Sequence, residues 1–188
     1  ATPCFPADLA PSGRFFRDDQ VLFPNLAPYD GLGAVATLGS RHYIPMKEFE
    51  PERIAGGILL AMDFYRRVRA IAHPESVYHL LSWNYMPASG SSLIHPHLQD
   101  FASSTAPNQL REELAAANAY FQANGSTYWD DLVQVERSEG KRYLGKHGRI
   151  SWLANFAPFS VAGDVVAVAD DCRVMLDLTE DDVAAIAQ

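Results

Sequence analysis

Cysteine is scarce: the 188-residue chain has two, Cys4 and Cys172, too few for the disulfide framework that staples small secreted domains. No apolar run approaches the ~18 residues of a membrane-spanning helix, so no membrane partner is expected. The first residues, Ala1-Thr2-Pro3-Cys4-Phe5-Pro6, lack the basic and apolar regions of a secretory signal. Cations are in deficit, with 15 Lys+Arg against 23 Asp+Glu and a formal net charge of −8. A duplex-binding surface needs clustered Lys and Arg, so nucleic acid is not an expected partner. These absences predict a cytoplasmic protein. There is no initiator Met, and a helix start at Thr179 is cut short at Gln188; both predict a piece of a longer chain.

What is present is a globular composition. Hydrophobic residues make up 48% and aromatic residues 11% of the chain, well above the disordered class. A chain of this size buries roughly 60–70% of its unfolded surface, enough for an ordinary core.

The first stretch reads as loop, broken by Pro3, Pro6, Pro11 and Gly13. Short strands are expected at 21–23 and 34–38. Pro51 opens a helix in which Ile54, Ile58, Met62, Tyr65 and Val68 recur at helical spacing through Ala70, although Gly56-Gly57 sits inside it. Strands at 77–85 and 97–101 follow, then a helix over 109–122 with Leu110, Leu114, Ala117 and Phe121 on one face. Further strands are expected at 151–156 and 164–168, and Thr179 with Asp182 three residues on marks a capped helix start.

The chain also repeats itself. Pro24-Asn25-Leu26-Ala27-Pro28-Tyr29, Gly33, an apolar strand, His42, Glu50 and a helix run in parallel with Asn155-Phe156-Ala157-Pro158-Phe159, Gly163, an apolar strand, Cys172, Glu180 and a helix about 130 residues later. This spacing predicts two like-folded α+β units, residues 1–122 and 123–188, the second incomplete within the chain.

The chemistry-bearing segment runs from Asn84 through Gly90-Ser91-Ser92 to His95-Pro96-His97-Leu98-Gln99. Gly90-Ser91-Ser92 is a small-residue turn whose N–H and hydroxyl groups approach a phosphate closely. On a strand, His95, His97 and Gln99 share one face, and Pro96 stiffens the pair. A neutral imidazole is a good nucleophile toward phosphorus and a good leaving group afterwards. The Gln amide offers hydrogen bonds without a titrating proton. By spacing alone the His-x-His pair also reads as a structural pair satisfied by backbone or, less readily, as metal ligands.

Taken as a whole, this segment resembles the His-x-His-x-Gln signature of the transferase branch of the histidine-triad superfamily. It is similar to galactose-1-phosphate uridylyltransferases, which place an Asn eleven residues before His-Pro-His and a Gly-x-Ser between them. Ser40-Arg41-His42 resembles their Ser-Pro-x-His element, and Asn25 their nucleotide-contacting Asn.

The resemblance implies an α+β, histidine-triad-like fold: an antiparallel sheet with flanking helices, duplicated in tandem. It implies a homodimeric nucleotidyltransferase, active toward a nucleoside diphosphate sugar (UMP transfer being the family default) and a sugar phosphate. His97 would be the covalent nucleophile, with Ser92 and Gln99 holding the phosphoryl oxygens. Asn25, Asn84, Gly90 and Ser91 would line the nucleotide pocket. His95 would supply a supporting backbone carbonyl or, with His42 and Cys4, bind a structural zinc. Glu113 would serve a second structural metal. The zinc set looks incomplete, because Ala1 and Ala7 flank Cys4 at the Cys-x-x-Cys spacing. Two alternatives share the core motif: a dinucleoside polyphosphate phosphorylase acting as an adenylyltransferase, and a non-catalytic binding protein of the same fold.

Other charged and aromatic residues have simpler readings. His73, His79 and His147 read as turn or strand positions, Arg66, Arg67 and Arg69 as a solvated face, and residues 136–142 as a polar hairpin. Trp83 and Trp152 read as core or pocket wall.

Overall fold

The computed structural model describes residues 3–28, 31–158 and 163–188. Ala1 and the aromatic ends of the two repeat motifs, Tyr29 and Phe159, lie outside them. The chain divides into two compact units, one reaching Thr105 and taking in Ala187–Gln188, the other spanning Ala106–Ile186.

The first unit is a five-stranded antiparallel sheet of β1 (Phe15–Arg17), β2 (Gln20–Pro24), β3 (Leu32–Thr37), β4 (Tyr78–Ser82) and β5 (His97–Ser103), in the order β1-β2-β3-β5-β4. Strand β1 falls in the stretch that reads as loop; three residues are too few to display a period beside Pro11 and Gly13. One helix, α1 (Pro51–Ala70), packs across one face of the sheet. Pro51 occupies its first turn, Glu52 complements the positive N-terminal end, and Arg67 and Arg69 the C-terminal end. Met62, Tyr65 and Val68 are buried as the periodicity implies, whereas Ile54 and Ile58 stay half-exposed and Leu60 and Phe64 fill the core.

The two helix-interior glycines have a packing reason. A Cβ on Gly57 would run into Leu38 and stand 3.1 Å from Leu98, and one on Gly56 would meet the Gln20 side chain. Their cost in helix propensity, ~1 kcal/mol each, is accepted because the helix backbone lies directly on β5.

The second unit begins with α2 (Asn108–Asn124) and α3 (Tyr128–Glu139), followed by β6 (Tyr143–His147), β7 (Ile150–Ala154), β8 (Val165–Ala169) and α4 (Glu180–Ile186), with the strands in an antiparallel β6-β7-β8 sheet. Helix α2 clusters with this unit and not with the first, where a boundary at 122 places it. Its Tyr120 hydroxyl donates to Asp131 of α3 (2.8 Å), and the Tyr120 and Tyr128 rings meet edge to face. The apolar face of α2 is not buried: Leu114 and Phe121 remain about half exposed.

Residues 136–139, read from sequence as part of a polar hairpin, are the last turn of α3. Thr127 Oγ1 accepts from the Asp130 N–H at 3.1 Å and Gly140 closes the helix in a left-handed conformation (φ 67°). The capping box at Thr179 forms as expected: Asp182 N–H donates to Thr179 Oγ1, and Thr179 N–H to Asp182 Oδ2.

The internal repeat is structural. Asn25 N–H donates to Gly33 O and Asn155 N–H to Asp164 O. Each Asn then accepts at its own Oδ1 from the residue two ahead, Ala27 and Ala157. Leu22 pairs with Ala36 in the first hairpin, Trp152 with Ala167 in the second, so the second turn is one residue longer.

Candidate active site

Strand β5 is the second from one edge of the first sheet, flanked by β3 and β4. Its alternation divides the motif cleanly: Leu98, Asp100 and Ala102 face α1 and are fully buried, while His97 and Gln99 point to the opposite face. His97 pairs with Thr37 of β3; Gln99 pairs with Val35 on one side and Ser82 on the other. The period-2 reading of the motif is therefore realised between two flanking strands.

The central geometry is a backbone-to-ring hydrogen bond. His97 Nδ1 lies 2.8 Å from the carbonyl oxygen of His95. A carbonyl only accepts, so Nδ1 carries the hydrogen and, in the neutral ring, Nε2 holds the free lone pair. His97 is 8% exposed, which fixes its ring among its neighbours. Of the two roles open to His95, its carbonyl takes the first.

The His95 ring is held separately. Its Nε2 sits 2.9 Å from Gly39 O, and its Nδ1 3.1 Å from His42 Nδ1. By the same reasoning Nε2 of His95 is the protonated nitrogen, and its Nδ1 accepts from His42 Nδ1–H. The β3–β5 ladder, continued by Leu38 N–H to Pro96 O, thus ends in a pair of imidazoles.

A structural zinc would be held by His42 and His95. Two imidazole nitrogens on a tetrahedral zinc stand about 3.3 Å apart, close to the 3.1 Å seen here. Among the described residues, however, no three His, Cys, Asp or Glu side chains gather at one point. Cys4 instead packs its Cβ and Sγ against Gly13, beyond the Phe15 end of β1, whereas His95 precedes the opposite end of the β-ladder. Glu113 belongs to the second unit, where it accepts from Gln109 on α2. His42 and His95 stand together as two ligands would, and among the described residues no third joins them.

The Gly-Ser turn follows a single 3-10 turn, Pro87–Ser89, capped by Gly90 at φ 88°. Nothing lies within 4 Å of a Cβ at Gly90, so its requirement is conformational, not steric. Ser91 Oγ donates to Leu93 O, and Ser89 Oγ to Tyr85 O and Met86 O. Ser92 and Asn84 are exposed. Asn25 caps its own turn through Oδ1.

Three site-shaping residues escape sequence reasoning. Tyr85 hydroxyl donates to Ile44 O (2.7 Å) and accepts from Ile44 N–H (3.1 Å), tying the loop of His42 to the segment of Asn84. Met86 holds φ 71°, ψ 154°, a region nearly reserved for glycine and costing about 1–3 kcal/mol. Neither has a sequence signature. Asp100, one residue past Gln99, is fully buried; loss of hydration pushes its carboxyl up to about 8. Tyr65 hydroxyl donates to Leu80 O and stands 3.5 Å from Asp100 Oδ1, while Asp100 Oδ2 has no hydrogen-bond partner. A charged residue inside an apolar strand was the available signal.

The chain shares its fold with solved uridylyltransferase-type structures, as the motif implied. A uridylyltransferase matches with a TM-score of 0.75 over 92% of this chain and 60% of that one, at 19% identity. A GalT-like protein from Arabidopsis thaliana gives 0.71 over 93% and 62%, at 18% identity. An ADP-glucose phosphorylase from the same plant, solved with ADP-glucose bound, gives 0.69 over 93% and 61%, at 17% identity.

By sequence, an uncharacterized protein of Archaeoglobus fulgidus is 34% identical over 143 residues, covering 76% of this chain and 42% of its own length. The chain thus spans less than half of this curated relative and about three fifths of the matching structures. No protein-family model matches the sequence.

Proposed function

We propose that the chain carries the nucleophile-bearing half of a galactose-1-phosphate uridylyltransferase-like nucleotidyltransferase, working by two in-line displacements at His97. The observation that carries this reading is the His97 Nδ1–His95 carbonyl hydrogen bond, which directs the lone pair to Nε2. In the first step that lone pair attacks the α-phosphorus of a nucleoside diphosphate sugar. A P–N bond forms as the bridging P–O bond breaks, and the leaving sugar phosphate takes the electron pair. In the second, a phosphate oxygen of another sugar phosphate attacks the same phosphorus and the P–N pair returns to Nε2. The anhydride energy is kept in the phosphoramidate between the steps.

Charge on the non-bridging oxygens would be met by Ser92, the Gln99 amide and N–H groups of the Gly90–Ser92 turn. Asn25 and Asn84 would face the nucleotide. No step runs through a metal. An adenylyl donor is the second reading, supported by the likeness to a phosphorylase whose structure holds ADP-glucose.

The test is incubation with radiolabelled UDP-glucose and, in parallel, ADP-glucose and diadenosine tetraphosphate. An acid-labile, base-stable label on His97 from one donor supports the reading and identifies the base. Labelling that survives His97→Gly overturns it.

A further inference from the structure

We propose that Tyr85 is a positioning residue for donor binding: its phenol anchors the Gly90–Ser92 turn by fastening the start of that loop to the backbone of Ile44. The phosphate-binding role of the turn rests on the transferase activity proposed above; the anchor rests on geometry alone.

Two loops of the first unit flank the motif. Residues 38–50 join β3 to α1 and carry His42, and residues 83–96 join β4 to β5 and carry Asn84, the Gly-Ser turn and His95. Tyr85 stitches one to the other in both directions, donating to Ile44 O at 2.7 Å and accepting from Ile44 N–H at 3.1 Å. A hydroxyl can satisfy a carbonyl and an N–H of one residue at once. Ile44 is buried, so both backbone groups would lose a partner that water cannot readily replace. The Tyr85 ring is held edge-on against Phe49 at 5.1 Å, and Phe49 meets Trp83 at the same distance.

Immediately past Tyr85 the chain takes a costly course. Met86 sits at φ 71°, ψ 154°, a conformation that persists only where its surroundings over-determine it. Residues 87–90 and 92–94 are exposed, so packing does not hold the turn from outside. Its hydrogen bonds instead return to its own beginning. Ser89 Oγ donates to Tyr85 O and Met86 O, and the N–H groups of Ser89 and Ser91 donate to Met86 O. The turn therefore hangs from Tyr85 and Met86, and the Tyr85 hydroxyl is the point at which it is tied to the buried core.

A loosened turn has a distinct kinetic signature. If only a fraction of molecules hold it in the binding arrangement, apparent affinity falls by that fraction. A donor that has bound has already selected that arrangement, so the rate at saturation is kept. KM rises while kcat holds, unlike the loss of a group that touches the reacting atoms.

Tyr85→Phe keeps the ring and removes the hydroxyl. On the 188-residue protein, hydrogen exchange at the Ser89, Gly90 and Ser91 amides should quicken about tenfold or more, with α1 and β5 unchanged. No acceleration there, or the same acceleration throughout the first unit, overturns the anchor. On a full-length protein containing this chain, KM for whichever of UDP-glucose and ADP-glucose labels His97 should rise about tenfold, with kcat within about twofold of wild type. Tyr65→Phe is the control: it also loses a phenol–backbone bond, to Leu80 O on the sheet face that α1 covers, and should leave KM unchanged. An unchanged KM in Tyr85→Phe, a fall in kcat alone, or an equal rise in Tyr65→Phe overturns the positioning role. A wild type that labels from neither donor overturns the transferase reading and the phosphate role with it, whereas the anchor stands or falls with the exchange pattern.

Discussion

Arg149 grips both carboxylate oxygens of Asp182, Nε to Oδ1 at 3.1 Å and Nη2 to Oδ2 at 2.5 Å. About 130 residues earlier, the equivalent positions pair with the charges reversed: Arg53 of α1 donates to Asp19, which precedes β2. In both units the residue before the inner hairpin strand is tied to the helix behind it, and only the sign has switched. Such an exchange is what a duplicated unit tolerates, because the pair keeps its attraction whichever partner is acidic. The two pairs differ in setting, since Asp182 is buried and Asp19 is half-exposed.

That difference predicts unequal costs. Arg149→Ala should lower the melting temperature more than Arg53→Ala, because it strands a buried carboxylate that Arg149 and Thr179 hold well below the usual range. The swap Arg149→Asp with Asp182→Arg should recover part of the loss, measured by thermal unfolding of the single and double variants. Equal losses for the two alanine variants would contradict this account.

Nucleotidyl transfer should depend on His97 by about 10⁴-fold or more. Exchange of label between UDP-glucose and glucose-1-phosphate, assayed on a full-length protein containing this chain, is the measurement. Residual exchange in His97→Gly above about a hundredth of wild type is incompatible with a covalent His97 intermediate.

Gln99 separates transfer from hydrolysis. Hydrolytic members of the histidine-triad superfamily, whose transferase branch the motif resembles, place His at this position, where an imidazole shuttles protons to and from water. An amide cannot, so a phosphate acceptor should accelerate donor consumption by ~10²–10⁴-fold over water alone. Gln99→His should narrow that ratio by raising nucleoside monophosphate release. Fast hydrolysis by the wild type, unaffected by any acceptor, points to a hydrolase instead.

Asp100 should make the protein lose stability as pH rises. Its folded carboxyl titrates near 8 and an unfolded one near 3.9, so between those values the folded state binds the extra proton. Stability then falls with pH at up to about 1.4 kcal/mol per unit and levels off above pH 8. His79 acts oppositely: burial first, then Arg69, lowers its folded value, so stability is lost as pH falls below about 6.5. Denaturant unfolding from pH 5 to 9 should show the Asp100 slope vanish in Asp100→Asn while the His79 limb survives. An unchanged slope in that variant sinks the assignment.

Zinc should be held at well under one ion per chain, because His42 and His95 meet as an imidazole pair with no third ligand among the described residues. Elemental analysis of purified protein checks this, and one tightly retained zinc per chain would show that a ligand was overlooked.

Local pattern alone determined much of this protein. The Pro51 helix, the shared face of His97 and Gln99, the Thr179 capping box and the Asn25/Asn155 repeat all depend on spacings of a few residues, which the backbone periods translate directly into geometry. Helix α3 shows the limit of such reading. Its Thr127 and Gly140 caps were present in the sequence, but its charged last turn masked the helical period.

Tertiary structure decided what depends on distant residues meeting. The tautomer of His97 follows from a carbonyl two residues away only once β3 seats β5. The His95–His42 contact spans 53 residues and the Tyr85–Ile44 clamp 41. Cys4 is parted from the histidines because it packs against Gly13 beside β1, the far edge strand of the sheet. Asp100 is forced neutral by the apolar face that α1 covers. Strand order and helix placement set these relationships, and neither is a property of any short segment.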